Sequence, residues 1–272
     1  MTEIINGSNR YRVIKEVARS EHYHLYLCKQ KETQCQCLLQ IAITVEHNGE
    51  LQRAAYILRE LAFHADRLEE EYKNVKTDPN VLLNYQLGFP EVVDSFICQE
   101  QGRRQINIFA FRNVDDVADM VPLANITTKD NLRIDLRTSA WIMGKALKLL
   151  DFVYGQGISV DLMTGENILI NAKQHYVVIF DLVQAQIFEQ MVPKDIRGRE
   201  ISQTASAVII ALGGDVKTGI FPENDSREYI DYLLQMARGN VSNAKRAHED
   251  FYEIVDRIWK REFYPFTVEQ LK

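Results

Sequence analysis

The sequence is poor in cysteine and in positive charge, and it contains no long apolar run. Four cysteines in 272 residues are too few, and too unevenly spaced, for a disulfide framework. The net charge of −6 argues against a surface for nucleic acid or anionic membrane, because phosphate groups are bound by clustered lysine and arginine. No apolar stretch approaches the roughly 18 residues of a membrane span, and the polar start Met1-Thr2-Glu3 does not resemble a signal peptide. These absences favour a cytoplasmic protein that binds neither nucleic acid nor membrane.

Metal ligation is not favoured by the cysteine and histidine pattern. Cys35 and Cys37 are two residues apart on a predicted strand, and Cys28 lies on its neighbour. A structural zinc site needs four well-placed ligands, so small buried thiols in a sheet are the favoured interpretation. His22 and His24 lie in and beside a predicted exposed hairpin turn, and their spacing alone does not indicate a metal site.

The remaining composition is that of a globular protein with a large core. The chain is 46% hydrophobic and 26% charged, which suits one large domain or two lobes. Enrichment in Tyr, Val, Ile, Leu and Thr predicts strands at residues 11–17, 23–29 and 35–45. Helical spacing of apolar residues covers 67–73, before Asp78-Pro79, and 131–155, 228–238 and 247–261. The segment at 67–73 is either a packing element or a docking surface.

Two short apolar strands, at residues 168–170 and 176–180, form a predicted hairpin whose second strand ends in Asp181. Together with the preceding loop, this hairpin resembles the catalytic loop and metal-binding strand of eukaryotic-type protein kinases. An ungapped alignment places Asn167 and Asp181 on the two magnesium-binding positions and Leu162 on the position of the catalytic base. A leucine cannot accept a proton, so the resemblance leaves the base position empty.

Asp161 takes the role of base only if the loop bulges by one residue. The alternative is that Asp161 caps or solvates a turn and that Asn167 satisfies backbone groups of the loop. Glu200 falls on the acidic residue that anchors the buried C-terminal helix in kinases. The segment between Asp181 and Pro193 contains no Ser, Thr or Tyr, so the resemblance implies no switch by phosphorylation there.

The N-terminal part shows the same resemblance with its phosphate-binding side chains replaced. Ala18, Ser20 and Tyr23 fall on the three glycines of the phosphate-binding turn, where a tyrosine ring would stand in place of phosphate. Gln40 falls on the phosphate-binding lysine, and Ala54 falls on the glutamate that pairs with it. Losing both halves of this ion pair together is coherent, because a buried carboxylate without its cation is costly.

The resemblance extends over residues 11–260 and implies an α+β, bilobal protein-kinase-like fold. It also implies strands at 89–96 and 105–111, a helix at 53–61 with a continuation at 67–73, and a helix at 200–214. Residues 1–112 would form a β-rich N-lobe with one main helix, and residues 113–272 a mostly helical C-lobe. The favoured function is a pseudokinase, a regulatory or scaffolding module that binds a protein partner and makes weak or no use of ATP.

The alternative is a divergent ATP-dependent Ser/Thr or small-molecule kinase. In that case Asp161 would be the base, Asn167 and Asp181 would bind magnesium, and cofactor contacts would also come from Gln40 and from the hinge at Ala110 and Arg112. Hinge contacts to adenine use backbone groups, so the side chains there do not discriminate between the two functions. The sequence leaves open the partner, the oligomeric state and whether the chain is an enzyme.

Overall fold

Strands dominate the first part of the chain and helices the second. A computed structural model describes residues 3–76, 83–223, 225–260 and 263–271. The chain divides into a first unit, Met1–Asp119 with Leu182–Gln184, and a second unit, Met120–Asp181 with Ala185–Lys272. This organisation is α+β, as the sequence predicts. The lobe boundary after residue 112 stays a prediction.

One antiparallel sheet forms the framework of the first unit. Its strands, within the described residues, are β1 (Glu3–Asn6), β2 (Asn9–Arg19), β3 (Tyr23–Gln30), β4 (Gln36–Ala42), β5 (Glu91–Cys98) and β6 (Arg104–Ala110). They are hydrogen-bonded in the order β1-β2-β3-β4-β6-β5. The five predicted strands are confirmed. Strand β1 was not predicted, although Asn6-Gly7 is a typical hairpin signal and Gly7 has φ +58°.

Buried thiols lie inside this sheet. Cys28 and Cys37 are opposite each other on β3 and β4, with their Sγ atoms 3.1 Å apart. Cys98 belongs to the same apolar cluster, whereas Cys35 precedes β4 and is exposed. The prediction of small buried thiols is confirmed for Cys28 and Cys37 and is wrong for Cys35.

One long helix, α1 (Asn48–Val75), packs on the sheet of the first unit. Leu51, Ile57 and Leu61 are fully buried on its inner face. The predicted helix at 53–61 and its continuation at 67–73 are therefore one element. Glu69 in the continuation accepts hydrogen bonds from the backbone N–H and the side-chain amide of Gln86 at 3.1 and 2.6 Å. The continuation thus packs within its own unit, and Asp78-Pro79 lies outside the described residues.

The second unit is mostly helical, with short strand pairs between its helices. Its elements are β7 (Met120–Pro122), α2 (Leu123–Thr128), β8 (Leu132–Ile134), α3 (Leu136–Gly155), β9 (Ile158–Ser159), β10 (Ile168–Asn171), β11 (Tyr176–Ile179), β12 (Gln186–Ile187), α4 (Lys194–Ala211), α5 (Arg227–Ala237), α6 (Ala244–Trp259) and β13 (Val268–Gln270). The described strands pair as β11-β10-β7, β12-β9 and β13-β8. The predicted helices at 200–214, 228–238 and 247–261 correspond to α4, α5 and α6.

The predicted start of α3 at residue 131 is wrong. Leu132 fits the helical spacing, but residues 132–134 pair with β13 as strand β8. The helix begins after Asp135, whose carboxylate accepts the backbone N–H of Thr138 at 2.7 Å and so caps the first turn. In the described part of the chain, none of the helices combines the length and apolar character that crossing a bilayer requires.

Candidate functional site

The hairpin of β10 and β11 carries the candidate site of the second unit. Asn171 Oδ1 accepts the backbone N–H of Gln174 at 2.8 Å and closes the turn between the strands. Strand β10 also pairs with β7, and all residues of β10 and β11 are buried. The predicted hairpin is confirmed. It places Asn167 just before its first strand and Asp181 just after its second.

The side chain of Asn167 ties the two ends of this hairpin together. Its Nδ2 donates to the carbonyl oxygens of Leu162 at 2.7 Å and Asp181 at 2.9 Å. Its Oδ1 accepts the backbone N–H of Asp181. The side chain is buried, and both ends of its amide satisfy backbone groups. These contacts correspond to the alternative to magnesium binding given above, in which Asn167 satisfies backbone groups of the loop.

Asp161 lies in the loop before the hairpin in a left-handed conformation, with φ +70°. Its backbone N–H donates to Glu200 Oε1 at 2.7 Å. Its carboxylate forms an ion pair with Arg199, and the two side chains are 25% and 50% exposed. Helix α4 therefore contacts both the backbone and the side chain of Asp161, through two consecutive residues.

Glu200 is fully buried and anchors the loop to α4. Burial raises the pKa of its carboxyl group, while the hydrogen bond from the Asp161 backbone acts in the opposite direction. One turn further along α4, Gln203 Oε1 accepts the backbone N–H of Met163 at 3.1 Å. The resemblance pointed to Glu200 as an anchor but missed Arg199 and Gln203. Their helical spacing on α4 is the signal that could have indicated a shared face.

In the first unit, Gln40 belongs to a buried group of polar side chains that we call the amide network: Gln40, Ser95, Gln105 and Asn107. Gln40 Oε1 accepts from Asn107 Nδ2 at 3.0 Å, and the same Nδ2 donates to the Leu51 carbonyl of α1 at 3.0 Å. Asn107 Oδ1 accepts from Gln105 Nε2 at 3.0 Å and from Ser95 Oγ at 2.8 Å. Gln40 is 2% exposed and Asn107 is 0% exposed. Position 40 therefore carries a neutral side chain whose oxygen is bonded to a second neutral amide.

Ala54, on the position of the missing glutamate, is also buried, with 2% exposure. The turn between β2 and β3 is closed by its own serine. Ser20 Oγ accepts the backbone N–H groups of His22 and Tyr23, each at 3.1 Å, and Ser20 N–H donates to the Tyr23 carbonyl at 2.9 Å. Two amides of this turn are thus hydrogen-bonded to a hydroxyl, and the Tyr23 side chain is buried.

The two predicted hinge residues lie at and just beyond the end of β6. Ala110 is the last residue of β6 and lies opposite Glu91 on β5. The Arg112 guanidinium donates to the side-chain oxygen of Gln86 and lies 3.7 Å from the carboxylate of Asp66 on α1. These contacts hold the Arg112 side chain within the first unit.

At the level of sequence, no family model and no curated protein matches the chain. Solved structures do match its fold. The structure of vaccinia related kinase 3 aligns with a TM-score of 0.65 and 11% identity, over 94% of this chain and 90% of that chain. The crystal structure of the BubR1 kinase domain aligns with a TM-score of 0.53 and 12% identity, over 93% and 88%. The chain has a protein-kinase-like fold.

The kinase-like fold confirms the predicted α+β, bilobal fold class. The kinase-like roles of the candidate residues stay predictions. The first unit contains Gln40, Ala110 and Arg112, and the second unit contains Asp161, Asn167 and Asp181. Asn167 and Asp181 are joined directly, whereas Gln40 and Arg112 belong to separate hydrogen-bonded groups.

The Asn167 side chain offers a magnesium–nucleotide complex one remaining lone pair in this arrangement. Its oxygen, which would coordinate magnesium, already accepts the Asp181 backbone N–H, and its nitrogen donates to two carbonyls. An amide oxygen has two lone pairs. Magnesium demands near-ideal octahedral oxygen ligation, so an ion bound through Asn167 would share this oxygen with the Asp181 N–H.

Proposed function

We propose that this protein is a pseudokinase. It acts in the cytoplasm as a regulatory or scaffolding module that recognises a protein partner, and it uses ATP weakly or not at all. The amide network around Gln40 is the main support for this proposal. In a kinase, a cation at this position neutralises phosphate charge, whereas Gln40 is neutral and its oxygen is bonded to Asn107. An uncharged, buried position 40 contributes no such neutralisation.

The second unit supports the same proposal. Leucine stands at the base position, the Asp161 carboxylate is paired with Arg199, and the Asn167 amide is engaged with the backbone. Removing one transition-state-stabilising donor from an enzyme typically costs about 100- to 1,000-fold in rate. Several such groups are replaced or engaged here, so phosphoryl transfer would be very slow.

A divergent ATP-dependent Ser/Thr or small-molecule kinase is the second candidate. Asp161 favours it, because its side chain is 25% exposed and its carboxylate is paired with a half-exposed arginine. Such exposed ion pairs contribute about 0–1 kcal/mol and are easily broken. In this function Asp161 would accept the proton of the substrate hydroxyl, and Asp181 with Asn167 would hold magnesium.

Thermal unfolding with ATP, in the presence and absence of magnesium or manganese, separates the two candidates. A ligand that binds only the folded state must raise the unfolding midpoint. For a pseudokinase we expect no metal-dependent shift at millimolar nucleotide. A magnesium-dependent shift that disappears in Asp181→Ala would show that the protein binds ATP with magnesium. The proposal that it uses ATP weakly or not at all would then be overturned. Phosphoryl-transfer assays with Asp161→Asn as the control would then test the second candidate.

A further inference from the structure

Three metal-ligating side chains converge near the start of α1, in a group that we call the His–Glu cluster: His22, His47 and Glu50. His22 lies in the turn between β2 and β3, and His47 immediately precedes α1. Glu50 Oε2 lies 2.7 Å from His22 Nδ1 and 3.0 Å from His47 Nδ1. One ligand atom from each residue lies within 4.8 Å of both others. All three residues belong to the first unit.

We propose that the His–Glu cluster binds a zinc ion through the two imidazole nitrogens and the Glu50 carboxylate, with a fourth position open to solvent or to a further ligand. Two histidines and one glutamate are a known zinc ligand set. Magnesium and calcium prefer oxygen ligands alone, so the two imidazoles argue against them. Bonds of about 2.0–2.2 Å in a tetrahedral site place ligand atoms roughly 3.4 Å apart. The distance from Glu50 Oε2 would have to lengthen by about 0.7 Å at His22 Nδ1 and by about 0.4 Å at His47 Nδ1.

The backbone holds the two histidines in place. The His22 carbonyl accepts the Ile43 N–H at 3.0 Å, and the His22 N–H donates to Ser20 Oγ at 3.1 Å. The His47 N–H donates to the Thr44 carbonyl at 3.3 Å. The ligand side chains are 21% exposed for His22, 28% for His47 and 34% for Glu50. An ion from solvent can therefore reach them, and little backbone movement is needed to bind it.

Gln184 is placed to supply the outer contact that a metal-binding histidine usually has. Its side-chain amide nitrogen lies 3.4 Å from His22 Nε2, on the far side of the ring from Glu50. A half-turn of this amide group would bring its oxygen to the ring, where it would accept the Nε2 proton and leave the lone pair on Nδ1. Ligating histidines commonly donate their second ring N–H to such a partner. Gln184 belongs to the same unit as the cluster, although it is 162 residues from His22.

His24 provides a matched control from the same hairpin. Its Nδ1 lies 3.2 Å from Glu16 Oε1, and its side chain is 23% exposed, close to the value for His22. It is therefore also a part-exposed histidine paired with a glutamate. The pair of His24 and Glu16 has no second imidazole among the metal-ligating groups identified in the described residues.

The test is a zinc titration of the metal-free full chain against a chromophoric chelator, under reducing conditions. We expect one zinc per chain. His22→Gln, His47→Gln and Glu50→Gln should each weaken binding by at least about tenfold. Gln184→Ala should weaken it by about tenfold, as expected for an outer contact, and His24→Gln should leave it unchanged. Circular dichroism checks that each variant is folded.

Cobalt(II) substitution of the unmodified chain gives a second measurement that needs no variant. We expect the visible bands of four-coordinate cobalt without thiolate charge transfer. Thiolate charge transfer would place the metal at cysteines, and equal zinc affinity in the unmodified chain and His47→Gln would exclude His47 as a ligand. Either result would overturn the proposal. Absence of binding at a large excess of zinc would also overturn the proposal. The His–Glu cluster would then be a hydrogen-bonded group without a metal. None of these readouts involves nucleotide, so they are independent of the pseudokinase proposal.

Discussion

The two units differ in the residue types and the contacts found at their kinase-like positions. In the first unit the charged residue types are absent, and Gln40 belongs to a neutral network with Asn107 at its centre. In the second unit Asn167 and Asp181 keep the expected residue types, but the Asn167 side chain bonds to the backbone at both ends of the hairpin. A retained residue type at a motif position is therefore compatible with a purely structural role. The contacts of a side chain distinguish a structural role from a ligand-binding role better than its residue type does.

The largest expected effect comes from breaking the amide network of the first unit. Asn107→Leu leaves Gln40 Oε1, the Leu51 carbonyl and Gln105 Nε2 each without the partner that Asn107 supplies. We expect a loss of about 2–4 kcal/mol in the free energy of unfolding, measured by urea denaturation, because each unsatisfied buried polar group costs about 1–3 kcal/mol. Gln52 is exposed and its Nε2 donates to Gln105 Oε1 at 3.2 Å, at the edge of the network. Gln52→Ala should therefore cost no more than the roughly 0.5–1.5 kcal/mol of a single hydrogen bond. A loss below about 1 kcal/mol for Asn107→Leu would mean that the network contributes little.

Asn167→Asp tests the corresponding claim in the second unit. The substitution removes the Nδ2 donor and turns a buried carboxylate toward the carbonyls of Leu162 and Asp181. We expect a loss of about 2–3 kcal/mol in unfolding free energy, which magnesium and ATP do not restore. Asn243→Asp is the control, because Asn243 only accepts a hydrogen bond, at the N-terminus of α6, and should tolerate the change. Greater stabilisation of Asn167→Asp than of the unmodified protein by magnesium would identify a metal position instead.

Glu200→Gln should produce a smaller effect that depends on pH. The pKa of the Glu200 carboxyl is raised by burial above its ordinary value of 4.5. The unfolded chain therefore releases this proton at lower pH than the folded chain does, and ionisation lowers stability as pH rises above 4.5. Glutamine keeps the acceptor for the Asp161 N–H and cannot ionise. Urea denaturation of both proteins at several pH values above 4.5 measures this effect. We expect the unmodified protein to lose stability relative to Glu200→Gln as the pH increases. A difference independent of pH would show that the loop anchor does not depend on the charge state.

The smallest effect is expected at Asp161. Glycine adopts the left-handed conformation of residue 161 at a cost about 1 kcal/mol lower than other residues do, which raises stability. It also removes the ion pair with Arg199, which lowers stability by about 0–1 kcal/mol. Asp161→Gly should therefore leave the unfolding free energy within about 1 kcal/mol of the unmodified value. Asp161→Val should lower it by about 1–2 kcal/mol, because a β-branched residue is unfavourable at φ +70°. A loss above about 2 kcal/mol in Asp161→Gly would indicate a stronger contact with Arg199.

Local patterns predicted most of the elements. The hairpin of β10 and β11 could be predicted because two short apolar runs flank a polar turn. Strand β8 could not, because Leu132 also fits the helical spacing of α3 and its partner Gln270 is far along the chain. Short strands of this kind depend on distant pairing rather than on local periodicity.

The contacts of the candidate site were less predictable than its elements. Periodicity indicates which face of a strand is buried, but not which side chain lies opposite. Gln40 and Asn107 are separated by 67 residues, and Asp161 and Arg199 by 38. The pair His47 and Glu50 has a helical spacing that the sequence shows, whereas His22 joins it only through the fold. Residue types could be assigned to positions from the sequence, but partners required the structure.

The burial of Gln40 and Ala54 limits the order in which the charged pair of the kinase pattern could be introduced into this protein. Single substitutions would introduce either the lysine or the glutamate first. Both positions are 2% exposed, so each intermediate would carry one buried charge without its counter-charge, which costs about 3–5 kcal/mol. A typical domain is stable by only about 5–15 kcal/mol. The two positions would therefore accept opposite charges together more readily than either charge alone.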